Sequence, residues 1–476
     1  MRVTAVFVCL ALWGCGDDGG ANRPPDAPRG SGDDSGTPDS PPAPQPVAIT
    51  VTSGGLPLHD VAVYFQRADS SLIAMATTDA TGTASQLMDA GGYVTVVDAF
   101  YTIQLPRSVR PGGNRAYHDL HTWAGVKPGD HLLLADPGFG STANAVTVPE
   151  EVGATAYSAY AAGGGSSFYA YSNFIDPATR MGSVDVYGSL ATTDFLIVTQ
   201  DANAGQFLYA ANQSLATNTV DLSGGTYANN VDASFMFTNA PAIGTISATN
   251  YLATSRGPIW VGTSAADITS GAATLTFSAR PEPALVTSIV ETDVTPSGAL
   301  AGQFLVDWKP IATATTYDLA NRSLLPLTGD GPIFDQPTHA VTWTLGATGA
   351  TPDAAVVNLR ATRDSTEFRQ WTWDIVAPHG ATGIAYPVLP TGADAYNALT
   401  DDSIILDGVK LAKVPGGYDT IRAGALGGSI LVGATATAQG SIAYETWPHN
   451  QVSIKATEGL APVGQFLKNS LRAALH

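Results

Sequence analysis

The sequence predicts an all-β protein, in which tandem antiparallel β-sandwich domains follow a signal peptide and a disordered linker. From residue 47 onward, apolar and polar residues alternate with a period of two, and Val, Thr, Tyr and Phe are enriched. The 50 glycines and 31 prolines punctuate that alternation, and only 13% of the residues are charged. With 476 residues, 44% of them hydrophobic, the chain is long enough for about three domains.

The first 14 residues have the pattern of a secretory signal peptide. An apolar run over residues 3–12 follows the basic start, and it falls short of the roughly 20 residues that span a bilayer. Both cysteines, Cys9 and Cys15, lie in or just after this run. The stretch Leu12-Trp13-Gly14-Cys15 resembles the lipobox of bacterial lipoproteins. It departs from that pattern at Trp13, where the lipobox usually has a small residue. We therefore predict lipidation of Cys15, with an ordinary signal peptide and an incidental cysteine as the alternative.

The composition of residues 15–46 predicts a lipidated Cys15 followed by a disordered, acidic tether that is rich in Pro, Gly and Ser. Between residues 16 and 46, six aspartates and two arginines leave a net charge of −4, which favours an extended chain through self-repulsion. The lipoprotein resemblance implies a diacylglycerol thioether and an acyl chain such as palmitate on Cys15, which makes the membrane a partner through the lipid anchor. The resemblance also implies a place in the bacterial cell envelope, and Gly16 after the cysteine, in place of an Asp, implies the outer membrane or cell surface.

The segment 47–140 is the first predicted β-domain. Its alternation places Val47, Ile49 and Val51 on the buried face of one strand, and similar strands follow at residues 61–65 and 93–97. Between two of these strands, Asp79 can cap a type I turn and Gly82 can take a positive φ, which predicts a β-hairpin.

Four motifs of this segment occur in a fixed order. They are Gly55-Leu56-Pro57-Leu58, Val61-Ala62-Val63-Tyr64-Phe65, Thr77-Thr78-Asp79-Ala80-Thr81-Gly82 and Gly91-Gly92-Tyr93-Val94-Thr95-Val96. Together they resemble the carboxypeptidase regulatory-like domain, a small transthyretin-like β-sandwich common in bacterial surface proteins. The resemblance implies a structural or interaction module without catalytic residues of its own.

Three further segments complete the predicted organisation. Residues 141–282 are an unassigned β-domain. Within residues 283–390, a strand ending in Trp308-Lys309-Pro310 and a strand led by Tyr317 resemble the B to C passage of bacterial fibronectin type III domains, with both aromatic side chains in an Ig-like core. Residues 391–476 add strands, which can belong to the preceding sandwich, and a short C-terminal helix.

The charge balance excludes nucleic acid as a partner. The chain has 22 basic and 41 acidic residues, a net charge of −19 and a pI near 4.6, so it has no basic face to release counterions from a phosphate backbone. The motifs of serine hydrolases, zinc proteases, P-loop enzymes and dinucleotide-binding folds do not occur. These absences favour a protein that is not an enzyme, and no catalytic residue is predicted.

Neither a metal nor a cofactor is predicted. His118, His121 and His131 would have to converge to bind zinc, but a spacing of three along a strand places the first two on opposite faces. Calcium is the alternative left open, although the sequence lacks the Asp-x-Asp-x-Asp-Gly loop pattern. Its carboxylates would come from Asp401, Asp402 and Asp407.

Trp371 and Trp373 are the candidate ligand-binding residues. Residues i and i+2 of a strand project from the same face, so two neighbouring indoles can stack on sugar rings. Packing of both indoles in a sandwich core is the alternative, and the pattern favours it.

Together these features predict a non-enzymatic cell-envelope lipoprotein. Its β-sandwich modules would serve adhesion, binding or structural spacing, with a glycan or protein ligand at the cell surface. The alternative is a surface hydrolase of the glycosidase type, with paired carboxylates in the middle or C-terminal β-domain.

Overall fold

The computed structural model describes residues 45–53, 56–99, 103–105, 115–136, 141–162, 173–187, 191–200, 205–240, 245–254, 257–279, 287–295, 300–310, 314–319, 322–363, 368–380, 382–423, 425–426 and 441–447. All of them fall in one compact unit, Pro44–His476. The predicted signal peptide, Cys15 and the predicted C-terminal helix lie outside the described residues. Among the described helices, none has the length and apolar character needed to cross a membrane.

The fold is all-β, as the sequence predicts, and the described part adds one short helix, α1 (Tyr418–Ala423), and one 3-10 turn (Asp394–Tyr396). The first sixteen strands are β1 (Pro46–Ser53), β2 (Leu56–Pro57), β3 (Ala62–Gln66), β4 (Leu72–Thr77), β5 (Thr83–Leu87), β6 (Gly92–Val97), β7 (Ile103–Leu105), β8 (Arg115–Val126), β9 (His131–Asp136), β10 (Ser141–Thr147), β11 (Ala156–Ala161), β12 (Asn173–Asp176), β13 (Met181–Tyr187), β14 (Thr192–Gln200), β15 (Gln206–Ser214) and β16 (Thr219–Asp221). The others are β17 (Ala228–Asn229), β18 (Val231–Thr238), β19 (Thr245–Thr254), β20 (Gly257–Asp267), β21 (Ala273–Ala279), β22 (Thr287–Asp293), β23 (Gly302–Pro310), β24 (Ala314–Asp318), β25 (Leu327–Asp335), β26 (Ala340–Leu345), β27 (Ala354–Arg363), β28 (Phe368–Pro378), β29 (Gly383–Ala385), β30 (Ser403–Lys413), β31 (Ala425–Leu426) and β32 (Ser441–Trp447).

Thirteen of the described strands form one sheet, which we call the large sheet. Their order is β20-β19-β22-β23-β32-β30-β27-β28-β8-β6-β3-β4, with β7 beside β8. The strands come from the start, the middle and the end of the described chain, because β8 pairs in parallel with β28 and β32 inserts between β23 and β30. Strands of all four segments after residue 46 therefore share this sheet.

Smaller sheets cover both faces of the large sheet. The five-stranded sheet, β2-β1-β9-β31 with β5 paired to β1, covers one face. Val47, Ile49 and Val51 of β1 are fully buried there, which confirms the predicted alternation. The opposite face packs against two three-stranded sheets, β21-β18-β24 and β25-β26-β29. This layering is the β-sandwich arrangement that the sequence predicts, with most described strand pairs antiparallel.

An eight-stranded sheet holds the residues between 141 and 229. Its order is β16-β10-β13-β12-β11-β14-β15-β17, and it encloses an apolar core of its own. A smaller apolar cluster joins it to β19 and β20 of the large sheet, through Leu196 and Phe207 on one side and Leu252 and Ile259 on the other.

The turn at residues 78–82 connects two sheets, so the predicted hairpin is wrong. β4 pairs with β3 in the large sheet, whereas β5 pairs with β1 in the five-stranded sheet. The turn itself has the predicted chemistry: Asp79 Oδ1 accepts hydrogen bonds from the N–H groups of Thr81 (2.8 Å) and Thr83 (3.0 Å), and Gly82 has a φ of 75°. The local reversal is encoded in the turn, but packing of the two strands in different layers decides their partners.

Tyr317 lies in a core, as predicted. It is 2% exposed and stacks on Phe237 of β18, with ring centroids 5.0 Å apart. Its strand, β24, pairs in parallel with β18, while Trp308 belongs to β23 in the large sheet. The side chain of Trp308 lies outside the described residues.

Candidate functional site

An open cleft of about 400 Å³ lies beside β3 and β6, near one edge of the large sheet. Three segments that are distant in sequence line it: residues 58–64, residues 97–99, and the stretch from Gly392 to Tyr396. The chain just before the third segment contacts β3, because Gln66 Nε2 donates a hydrogen bond to the carbonyl of Val388 at 2.7 Å. The cleft is therefore formed by contacts between segments that are distant in sequence.

Two aspartates at the cleft have left-handed backbone conformations. Asp60 has a φ of 63° and Asp98 a φ of 53°, a region that costs a non-glycine residue about 1–2 kcal/mol. Backbone hydrogen bonds hold both residues, since Asp60 N–H donates to Thr78 O (2.9 Å) and Asp98 N–H donates to Asp119 O (2.8 Å). The fold thus presents both carboxylates at the cleft wall despite the local cost.

His118 and Tyr396 hold the carboxylate of Asp98. His118 Nδ1 lies 2.8 and 3.0 Å from the two carboxylate oxygens, and the Tyr396 hydroxyl donates to Oδ2 at 3.3 Å. The His118 and Tyr396 rings meet edge to face, with centroids 4.9 Å apart. Burial and the charge of Asp98 raise the pKa of Tyr396, so its hydroxyl stays protonated. The carboxylate is therefore fixed from behind and faces the cleft.

Tyr64 presents a hydroxyl without a partner at the cleft wall. The residue is only 3% exposed, yet its hydroxyl makes no hydrogen bond to any residue that the structure describes. A Cβ at Gly392 would lie 3.0 Å from this hydroxyl oxygen, so the glycine keeps the space beside it open. Burial, followed by the charges of Asp394 and Asp98, raises the pKa of Tyr64. The neutral hydroxyl can both donate and accept a hydrogen bond.

The surroundings of the cleft are acidic. His59 Nδ1 and Asp60 Oδ2 pair at the mouth at 2.7 Å, with both side chains well exposed. Asp394 is exposed in the 3-10 turn and adds its charge near Tyr64. Arg369 lies 5.6 Å from the centroid of the Tyr396 ring but does not line the cleft.

A second charged cluster lies on the opposite face of β8. His121 Nε2 is 3.0 Å from Asp119 Oδ2, and its Nδ1 is 3.4 Å from Asp374 Oδ2. Burial opposes protonation of this ring, but the two carboxylates outweigh burial and raise the pKa of His121 to about 10. Asn358 also donates to Asp374 at 2.7 Å. The cluster is thus a histidine cation held between two carboxylates.

The predicted ligand platform at Trp371 and Trp373 is wrong, because both residues are core residues, 2% and 4% exposed. Trp373 Nε1 donates to Thr122 Oγ1 at 2.9 Å, and its ring meets Tyr386 edge to face at 4.8 Å. The face of the large sheet that carries both indoles packs against the three-stranded sheet β25-β26-β29, so this face is not exposed to solvent. Core packing, the alternative weighed above, is the observed arrangement.

Two of the carboxylates considered for calcium, and the histidine His131 considered for zinc, contact other groups. Asp402 forms a two-pronged pair with Arg363 at 2.7 Å for both contacts, and Asp407 pairs with Arg360 at 2.6 Å. His131 Nε2 lies 2.9 Å from Thr50 Oγ1, and its strand, β9, belongs to the five-stranded sheet, whereas the other two histidines lie on β8 of the large sheet. Within the described part of the chain, no three or more His, Cys, Asp or Glu side chains are placed to hold a metal ion.

Sequence reasoning missed the cleft residues Tyr64, Asp98 and Tyr396. The first two lie in or after strands whose alternation identified them only as strand residues, and Tyr396 lies about 300 positions away from Asp98 along the chain. Only His118 is marked by a sequence pattern, its spacing from His121, and that pattern does not identify Asp98 or Tyr396 as its neighbours.

No protein-family model and no curated protein matches this chain. Among solved structures, it is similar to the TIE protein of Bacillus anthracis, with 11% identity over 58% of this chain and 50% of that chain and a TM-score of 0.15. It is also similar to alpha-2-macroglobulin of E. coli, with 10% identity over 75% of this chain and 26% of that chain and a TM-score of 0.11. A third is a four-domain immunoglobulin fragment of Dscam1, with 9% identity over 70% of this chain, 98% of that chain and a TM-score of 0.11. The chain thus spans half the length of the first protein and about a quarter of the second.

Proposed function

We propose that this protein is a non-enzymatic cell-envelope lipoprotein whose β-sandwich unit binds a glycan in the cleft beside β3 and β6. The observation that carries the proposal is Tyr64, a residue only 3% exposed whose hydroxyl lies at the cleft wall near the oriented carboxylate of Asp98 and has no partner among the described residues. A hydroxyl that lines a cleft and has no protein partner can donate a hydrogen bond to a ligand there and accept one from it.

The chemistry of the cleft suits a polyhydroxylated ligand. Tyr64 offers a neutral hydroxyl, and Asp98 offers acceptor oxygens held in place by two neighbours. Sugar hydroxyls donate and accept in the same way, and a cleft of about 400 Å³ lies within the usual range for small-ligand sites. A short glycan segment would fit it.

Attachment to the membrane is the second part of the proposal. Cys15 follows the apolar run and precedes the acidic tether, which would hold the β-sandwich unit away from the membrane surface. Replacing Cys15 with Ser should move the protein from the detergent phase to the soluble fraction. A variant that stays membrane-bound, or a mature N-terminus at another residue, would contradict the anchor.

The test of the cleft is a glycan array probed with residues 44–476, followed by titration of the bound glycans. Tyr64→Phe and Asp98→Asn should each weaken binding about tenfold, the effect of one good hydrogen bond. Asp221→Asn, in the eight-stranded sheet, is the matched control and should leave binding unchanged. Binding that survives both cleft variants would overturn the site.

A surface hydrolase remains the second candidate. The observation that favours it is that Asp374 and Asp407 lie on the two strands that flank Asn358 of β27, where burial raises the pKa of Asp407. Glycosidases use two carboxylates in such unequal environments. Turnover of a glycoside that is lost in both Asp374→Asn and Asp407→Asn would establish this function in place of the binding module.

A further inference from the structure

We propose that the cleft selects a glycan that carries free, protonated amine groups, such as an oligomer of glucosamine. The inference rests on the proposed glycan-binding function and specifies the class of sugar. It stands on three features of the cleft: its charge, the unpartnered hydroxyl, and the backbone groups that line it.

The first feature is the charge. Asp60 and Asp98 line the cleft, and Asp394 lies close enough to act on Tyr64. Among the described residues that line the cleft there is no Lys or Arg, and His59 is already paired with Asp60. An anionic sugar would meet repulsion here, while an ammonium group would compensate the excess of carboxylates.

The second feature is the geometry of the hydrogen-bonding groups. An ammonium group has three donors and no acceptor. The Asp98 carboxylate is fixed by His118 and Tyr396, and Tyr64 adds a hydroxyl oxygen with no described partner. Together they offer two kinds of acceptor to one cation, and the contact to the carboxylate is the stronger, charge-assisted kind.

The third feature distinguishes a sugar from a peptide. Peptides are commonly held by main-chain hydrogen bonds, but three N–H groups at the cleft already have partners. Asp60 N–H bonds to Thr78 O, Val61 N–H to Thr78 Oγ1, and Gly392 N–H to the Asp394 carboxylate. The cleft therefore offers side-chain groups and little backbone, which favours an amino sugar over a basic peptide.

The test is a calorimetric titration of the full chain with three oligosaccharides of equal length: a glucosamine oligomer, its fully N-acetylated form, and the glucose oligomer. The glucosamine oligomer should bind at least about tenfold tighter than the other two, because only it carries the charge. This preference should shrink as salt is added, since exposed charges are screened.

Asp98→Asn and Asp60→Asn should each reduce the preference for the amine, and Asp221→Asn should leave it intact. Asp60 is exposed at the cleft mouth, so Asp60→Asn keeps the test valid if Asp98→Asn fails to fold. Thermal unfolding of each variant checks its fold.

Equal affinity for the three oligomers would overturn the amine selectivity while leaving glycan binding in place. No binding of any saccharide, here or on the array, would remove the proposed function itself. Tighter binding of a lysine-containing peptide, lost in Asp98→Asn and Asp60→Asn, would replace the sugar with a peptide as the ligand class.

Discussion

At the scale of single residues, β8 supplies a histidine to each of two charged clusters on opposite faces of the large sheet. His118 contacts Asp98 on the cleft side, and His121 lies between Asp119 and Asp374 on the other side. A spacing of three along a strand reverses the side-chain direction, so one short stretch serves both clusters. Each histidine is held by carboxylates, but only the first cluster borders an open cleft.

Replacing His121 with Ala should destabilise the fold by about 3 kcal/mol, because two largely buried carboxylates would lose their cation. Chemical denaturation at pH 7 measures this change. His131→Ala is the matched control, since that residue is exposed, and it should change stability by less than about 0.5 kcal/mol. Equal effects of the two variants would contradict a buried imidazolium.

Glu445 should make the fold more stable in acid than in alkali. It is fully buried on β32, accepts a hydrogen bond from Leu327 N–H at 2.9 Å, and lies opposite Gln303 of β23. Among the described residues, neither Glu445 Oε2 nor Gln303 Oε1 has a hydrogen-bond partner. Burial raises the pKa of Glu445 from 4.5 to about 7. A raised folded-state pKa gives stability that is complete below pH 4.5 and lost as the pH rises through 7, about 3 kcal/mol in all.

Denaturation curves between pH 4.5 and 9 test this effect. Glu445→Gln cannot ionise, so its stability should fall less over this range than that of the original chain. Identical pH profiles for the two proteins would show that Glu445 is ionised without cost.

At the scale of the element, the turn between β4 and β5 directs the chain from one sheet to another. Its tight packing explains the glycine: a Cβ at Gly82 would lie 2.6 Å from the carbonyl oxygen of Val51. Any other residue at position 82 would therefore have both an unfavourable positive φ and a clash between its Cβ and the carbonyl oxygen of Val51.

Gly82→Ala should therefore destabilise the fold by about 3 kcal/mol or more, as strain and a backbone clash add. Gly153 separates the two causes, because it has a φ of 92° but no atom within 4 Å of the Cβ position. Gly153→Ala should show the conformational cost alone, about 1–2 kcal/mol. Thermal unfolding of the two variants would contradict this reasoning if their effects were equal.

At the scale of the whole molecule, the large sheet makes distant parts of the chain depend on each other. β30 pairs with β27, and β32 joins β30 to β23, so residues after 402 complete pairings of strands that precede them. Among the described strands, any cut between residues 390 and 440 removes β32 and so breaks the large sheet.

A chain of residues 44–390 should therefore lack the cooperative thermal transition of residues 44–476. Near-ultraviolet circular dichroism and calorimetry would detect the loss. Residues 44–476 are the control, and they should unfold like the full chain because all described strands are retained. A cooperative transition of the 44–390 chain at the same temperature would mean that the last strands are peripheral.

Much of the local structure could be predicted from the sequence, because its causes are local. The alternation of Val47, Ile49 and Val51 determines the buried face of β1, and Asp79 with Gly82 determines the turn that follows β4. A pattern with a period of two identifies strands, whatever their partners are.

The partners of the strands and the cleft were decided by the tertiary structure. The alternation of β8 is compatible with many neighbours, and only packing of both its faces selects β28 as its parallel partner. The same selection brings Tyr64, Asp98, His118 and Tyr396 together from four separate parts of the chain. By itself the sequence determined the all-β class, the acidic charge and the local turns, since these depend on neighbouring residues. The cleft depends on contacts between distant residues, and no local pattern encodes them.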